Sequence, residues 1–423
     1  MQKRHGCMTR QQQMEAFQSR YTLLLSPYAI EFGVLVIVTY LIQSVLYFAY
    51  RTMIGIGTKP AQLMRAMIDI EWADMIIPSV NCTNCENGLR YNSSESATHE
   101  SNGTDLVIRT GGYVWGEGFV SQDTVTVGDG IEIPHHPFLE ANKSWPCALC
   151  ESDTILGLAI DKPEYVDPSQ CSSKGKNNSG GCLPSPFSTL AKSGTLDRNI
   201  VSILLPRDDD DDIRVPPGEI VFGSLDEGLY EGPLSTHPLY PPGTTQWHIE
   251  ATSASVSSAN GTLLASESLP GYTARLHTYF PYTALPPFIG NAIMNATGAD
   301  CSDGCKGCEV NCSTLHELPH VTINLGGHNI TITGEDYTVK TDIQWPFCAY
   351  PGEYCQVNIG PDGSDGGEES KTIDLGTSFL RGVYSAYDFD DRSVHRESLS
   401  LSCQGIPFSN DIYLVARAKR YTL

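Results

Sequence analysis

Asp69 lies in the stretch RAMIDIEWADMIIPS (residues 65–79), between one apolar run and a second that ends in Pro-Ser. What it can do depends on whether it has a partner. Two carboxylates held close together cannot both ionise, so they share a proton; one then acts as base on a water while the other donates to a carbonyl. A lone Asp says almost nothing about either. Cysteine offers a second chemistry: CSDGCKGCEVNC (301–312) carries four cysteines, and CxxC pairs occur at Cys82/Cys85 and Cys147/Cys150. Such spacing suits zinc or an iron–sulfur cluster, and it suits disulfides as well. A third candidate, RDDDDDIR (207–214), could gather a cation, though adjacent carboxylates in a turn are usually a solvated loop.

Compartment helps to separate these readings. Nine Asn-x-Ser/Thr sequons begin at Asn81, Asn92, Asn102, Asn142, Asn177, Asn260, Asn295, Asn311 and Asn329. That number favours a glycosylated protein of the secretory pathway, and an oxidising route lets the fourteen cysteines pair. Disulfides are therefore expected, with no metal and no cofactor. The formal charge of −22 argues against nucleic acid, whose phosphates need Lys/Arg surfaces. An acidic surface also suits work at low pH, where many carboxylates are neutralised.

The elements that must position these residues come from a chain of 423 residues, 18% charged and 40% hydrophobic, long enough for two domains with full cores. The basic head MQKRHGCMTR precedes an uncharged run from Phe32 to Tyr50, 19 residues and near the length that crosses a bilayer. Two readings stand: an uncleaved signal or membrane anchor, or a pair of β-branched strands packed in a core. Beyond residue 50 helical periodicity is scarce. Short alternating runs broken by Gly, Pro, Asn and Asp, as in FVSQDTVTVGDG (119–130), indicate strands. HVTINLGGHNITITGEDYTVK (320–340) reads as a hairpin turning at GGH, and PFSTLAKSGT (186–195) as a short amphipathic helix. DTILGLA (153–159) and IDLGTSFLRG (373–382) place apolar residues before a Gly late in each half, a weak internal symmetry.

Those segments, in order, resemble the pepsin-like aspartic peptidases of the cathepsin D type. MIGIGTKPAQ (53–62) is similar to the family's opening strand, and MIIPSVNC (75–82) to the segment after its first catalytic loop. GEGFVSQDTVTVG resembles the strand leaving the flap, and DTILGLA the element that closes the first lobe. GEIVFGSLDEGLYEGPL, LPHVTINLGG and DLGTSFLRGVYSAYDFDD follow the second lobe to its end. The resemblance implies an all-β, bilobal fold with a cleft between two β-rich lobes, each giving one D-T-G loop. It divides the chain into 1–46 (basic N-terminus and signal or anchor), 47–196 (first lobe) and 197–423 (second lobe). It further implies a disulfide between Cys82 and Cys85, and a later one joining Cys312 to Cys355 or Cys348.

At the site the pattern breaks. Asp69 takes the first catalytic position, but Ile70 and Glu71 stand where the family has Thr and Gly. If that Gly needs a backbone unfriendly to Cβ, Glu71 strains the loop by about 1–3 kcal/mol. The second loop falls on Ala274 to Tyr279: His277 replaces the second Asp, Thr278 keeps the Thr, and Tyr279 replaces Gly. An imidazolium–carboxylate pair between Asp69 and His277 is expected in place of a shared proton. The flap Tyr falls on Thr110, with Tyr113 as the alternative, and Asp374 occupies a usually apolar slot where it is expected to meet His277 or to be exposed. Bulky walls are expected from Trp72, Tyr113, Trp115 and Tyr279. The reading is a catalytically impaired pseudopeptidase, monomeric, whose cleft binds a peptide or protein. The alternatives are an active endopeptidase with a non-standard dyad and a structural cell-surface glycoprotein.

Overall fold

The computed structural model describes residues 37–40, 42–43, most of 50–389, and 411–416. Outside the described residues lie 1–36, 41, 44–49, 59, 86–87, 111–112, 129, 145–151, 161–182, 207–217, 231, 245, 303–306, 342–353, 363–370, 390–410 and 417–423. The basic head, the acidic run, Asn177, the Cys147/Cys150 pair and Cys348 fall there.

Within the apolar run, β1 (Ile37–Tyr40) and β2 (Ile42–Gln43) are strands, and no helix among the described residues is long and apolar enough to cross a membrane. The described part of the run, 37–40 and 42–43, thus follows the strand reading, and the rest of 1–46 lies outside the described residues. An uninterrupted apolar segment is read alike by a bilayer and by a strand buried in a sheet. β2 pairs antiparallel with β3 (Tyr50–Ile56).

β2 and β3 begin an eight-stranded sheet built from residues 42–157. Its members include β4 (Gln62–Asp69), β5 (Ile76–Pro78), β6 (Glu100–Thr110), β7 (Tyr113–Val127), β8 (Ile131–Ser144) and β9 (Thr154–Gly157). Glycines at 128 and 130, both at positive φ, turn β7 into β8, as the GDG signal predicts. The helix Pro186–Ser193 follows: the Ser185 hydroxyl accepts the Ser188 N–H, and Gly194 ends it in the left-handed region.

A six-stranded sheet draws on both ends of the chain, in the order β1, β11 (Glu219–Phe222), β10 (Ile200–Leu204), β23 (Val383–Asp388), β24 (Asp411–Ala416), β12 (Ser235–Pro238). Every residue of β10 and β23 is buried, the polar Ser202, Ser385 and Asp388 included, so these strands are covered on both faces.

The second large sheet runs β18 (His328–Ile332), β17 (His320–Leu325), β13 (His248–Ser257), β14 (Leu263–Leu276), β22 (Thr372–Leu375), β15 (Thr283–Leu285), β21 (Ile359–Pro361). β17 alternates as its sequence does, with Val321, Ile323 and Leu325 inward. Its hairpin turns on Gly326 and Gly327, with His328 already in the strand. A helix at Pro287–Thr297, which the sequence reading did not include, begins on a proline and ends on Gly298 at positive φ. The fold is all-β and bilobal. Trp247, fully buried, ties the halves together: its indole N–H donates to the Leu158 carbonyl at 2.9 Å.

β16 (Glu309–Val310), β20 (Tyr354–Val357) and β19 (Thr338–Thr341) form a small third sheet of the second half, and disulfides join Cys82 to Cys85, Cys301 to Cys308 and Cys312 to Cys355. The dense cysteine segment is therefore at least partly oxidised, and no group of His, Cys, Asp and Glu among the described residues could hold a metal. Of the described sequons, Asn81, Asn102, Asn142, Asn260, Asn295, Asn311 and Asn329 are exposed. Asn92 is half-buried, and its side chain accepts the Ser94 N–H.

Candidate active site

Two parallel strand pairs, one in each large sheet, set the floor of the cleft. In the first half β4 runs beside β9, so that Ile68 faces Leu156 and Asp69 faces Gly157. In the second half β14 runs beside β22, with Arg275 against Asp374 and Leu276 against Leu375. One residue further on lie His277 and Gly376, and the His277 N–H donates to the Leu375 carbonyl. The matching register makes His277 the counterpart of Asp69. Both glycines are pressed against the loop that follows the site residue. A Cβ on Gly157 would lie 2.3 Å from the Trp72 carbonyl, and one on Gly376 would lie 2.4 Å from the Tyr282 carbonyl.

Half of a reciprocal grip joins the two loops. Thr278 Oγ1 accepts the Ile70 N–H at 3.2 Å and donates to the Ile68 carbonyl at 3.0 Å. Ile70 has no hydroxyl with which to return the contact.

Asp69 is 8% exposed, and its Oδ1 accepts the Glu71 N–H at 2.8 Å. Desolvation raises its carboxyl to about 7, reinforced by the charge of Glu71 and opposed by backbone N–H groups and the charge of His277. Asp69 makes no ion pair with His277. The expected pair is corrected: His277 is taken by other carboxylates on both sides. Its Nδ1 contacts Glu71 Oε2, and its Nε2 donates to Asp374 Oδ1 at 2.9 Å. Burial works against the imidazolium, yet the hydrogen bonds and charges of Asp374 and Glu71 prevail and raise it to about 9.

Asp374 is also held by Arg275, whose Nε and Nη2 donate to its two oxygens at 2.6 and 2.8 Å. Burial pushes the Asp374 carboxyl up, but His277 and Arg275 outweigh it and hold it at about 2. The corresponding positions of the first half are Met67 and Ile155, both buried. An apolar contact in one lobe is thus a bidentate ion pair in the other. Glu71 is likewise held below the usual carboxylate range: burial raises it, and the imidazoles of His248 and His277 overcome that. His248 Nε2 stands 3.9 Å from Glu71 Oε1, too far to hydrogen-bond.

Glu71 is not at positive φ; His135 is the residue that is, among described non-glycines. The expected strain at Glu71 is therefore absent, and its carboxylate instead reaches the second loop. Trp72 is buried, its indole donating to the Asp74 carbonyl at 2.7 Å, so it does not form an open wall. Tyr279 is 42% and Phe280 40% exposed. Thr110 and Tyr113 pair with each other at the joined ends of β6 and β7; their side chains and that of Trp115 are outside the description. Arg275, His248 and the role of Glu71 were not among the sequence-derived site residues. The unusual Asp374 was the one available signal that a cation stands opposite it.

The family model for eukaryotic aspartyl protease matches residues 49–397. The chain belongs to that family. Among its relatives, renin of Canis lupus familiaris is 30% identical over 350 residues, 79% of this chain and 75% of the relative. Vacuolar protease A of Aspergillus fumigatus is 27% identical over 361 residues, covering 84% and 80%. Cathepsin D of Dictyostelium discoideum is 27% identical over 356 residues, covering 82% of each. This aspartyl protease homologue keeps the family scaffold around a floor of different composition.

Proposed function

We propose that this chain is an aspartic peptidase homologue of the secretory pathway that has lost the family's hydrolytic step and binds a peptide or protein in its cleft. One observation carries the reading. The group opposite Asp69 is an imidazole with both nitrogens engaged by carboxylates, Glu71 and Asp374. A proton-sharing pair needs a second acid beside Asp69; a water-activating pair needs a partner free to exchange a proton. His277 meets neither requirement while it is held on both sides. The exposed sequons and the disulfides support a glycosylated protein made in an oxidising compartment.

Purified protein is incubated with an unfolded protein substrate from pH 3 to 9, and an immobilised peptide library is assayed for retention over the same range. Retention without cleavage is expected. Turnover that disappears in Asp69→Asn would contradict the reading. A second reading has one observation in its favour: with Asp69 near 7 and His277 near 9, base and acid forms coexist between those values. An active enzyme of that kind would work near neutrality, outside the acidic range that suits a carboxylate pair.

A further inference from the structure

The cleft floor contains three carboxylates and two permanent or near-permanent cations. Asp374 is matched by Arg275, and Glu71 by His277, which also reaches Asp374. Asp69 is left over, buried and, among the described residues, without a side-chain hydrogen bond or ion pair. When it ionises, Arg275 and His277 are already matched by Asp374 and Glu71, and an uncompensated carboxylate at that burial is costly. A second group points the same way. His248 Nε2 is buried with no hydrogen-bond partner among the described residues, 3.9 Å from Glu71 Oε1, so a second polar atom of the floor is also left unsatisfied. Beside this floor the same loop exposes Tyr279 and Phe280, aromatic surface suited to the alkyl stem of a long basic side chain and to its charge. The chain carries −22 overall, which draws cationic partners toward it.

We propose that the cleft selects a peptide segment bearing a basic side chain, Lys or Arg, whose charged head supplies the cation missing from the floor at Asp69 and whose stem lies against Tyr279 and Phe280. The inference rests on the peptide-binding reading above and names its ligand class. Charged or titratable groups near Asp69 come from its own loop (Glu71), from β13 (His248), from β14 and the residue after it (Arg275 and His277) and from β22 (Asp374). β9 presents apolar Leu156 and Gly157. Binding of a cation is then linked to proton release from Asp69. If the ionised form alone binds and Asp69 titrates near 7, affinity rises up to about thirtyfold from pH 5.5 to 8.

Fluorescence anisotropy tests this with a labelled peptide containing one Lys and an otherwise identical peptide containing norleucine, at pH 5.5 and 8. The full chain and Asp69→Asn are compared after their unfolding midpoints are shown to agree. A rise of at least about fivefold is expected for the Lys peptide with the unaltered chain. No rise is expected for the norleucine peptide or for Asp69→Asn. Equal binding of the two peptides, or a Lys preference untouched by Asp69→Asn, overturns the basic-ligand assignment and leaves the peptide-binding reading standing. Binding of neither peptide, nor of any member of the immobilised library, overturns both.

Discussion

Replacing Glu71 with Gln removes one of the two carboxylates that hold His277, and the structure sets the size of the consequence. An imidazole raised from 6.5 to about 9 is worth about 3 kcal/mol of folding free energy. The His277 side chain is 13% exposed, so little of this is lost to solvent screening. The sign follows from the direction of the shift. His277 is raised above its unfolded value, so its contribution is complete below about pH 6.5 and is lost as pH rises through about 9. The lowered values of Glu71 and Asp374 report the same contacts from the other side and are not added. Glu71→Gln leaves Asp374 in place, so about half of the effect, ~1–2 kcal/mol, is expected to go. Urea unfolding at pH 6, 8 and 10, with an NMR titration of the His277 ring, measures both quantities. The His277 share of the weakening between pH 6 and 10 is expected to be about 3 kcal/mol in the unaltered chain and about half of that in the variant, on top of the fall that Asp69 and Glu219 bring in both. A His277 ring that titrates near 6.5 in the unaltered chain would refute the double clamp.

Further outcomes follow from other parts of the structure. Glu219, buried on β11 with Asp226 beside it, is raised to about 7, first by desolvation. Stability should therefore fall as pH rises from about 4.5 through about 7, and Glu219→Gln should remove about 3 kcal/mol of that fall, read by thermal unfolding at pH 5 and 8. Thr278→Val strands the buried Ile70 N–H and Ile68 carbonyl and should cost ~1–3 kcal/mol in denaturant unfolding. Asp374→Ile alone leaves Arg275 unpaired in a half-buried site and should cost ~1–2 kcal/mol after allowance for screening. Adding Arg275→Met, which recreates the Met67–Ile155 contact of the other half, should recover most of that Arg275 share, while the loss of the Asp374–His277 contact, a further ~1–2 kcal/mol, should remain.

Much of the scaffold was legible because strands and turns leave local marks. The alternation in HVTINL, the paired glycines after it and the proline-led helix at Pro186 each follow from neighbouring residues. The run at 37–43 was ambiguous for the opposite reason, since its apolar character suits either environment and its partner, β11, lies far along the chain. The positions of Asp69 and His277 could be read from the segments flanking them. Their partners could not. Arg275 meets Asp374 through parallel pairing of strands 99 residues apart, and Glu71 meets His277 only when two loops from different sheets close on each other. The expected Asp69–His277 pair failed because Glu71 and Asp374 are nearer competitors for the same imidazole. The substitution of Glu for Gly in the first loop, read from sequence as a source of strain, is the source of the clamp.

The central claim is that Asp69 has no acid free to share a proton with it, because Glu71 and Asp374 are both committed to His277. The most direct test is a long time course of unfolded-substrate cleavage by purified protein at fixed intervals from pH 3 to 9, with Asp69→Asn as the matched control. Identical product traces for the two proteins at every pH are predicted. Product that accumulates with the unaltered chain and not with Asp69→Asn, at any pH in that range, would contradict the account.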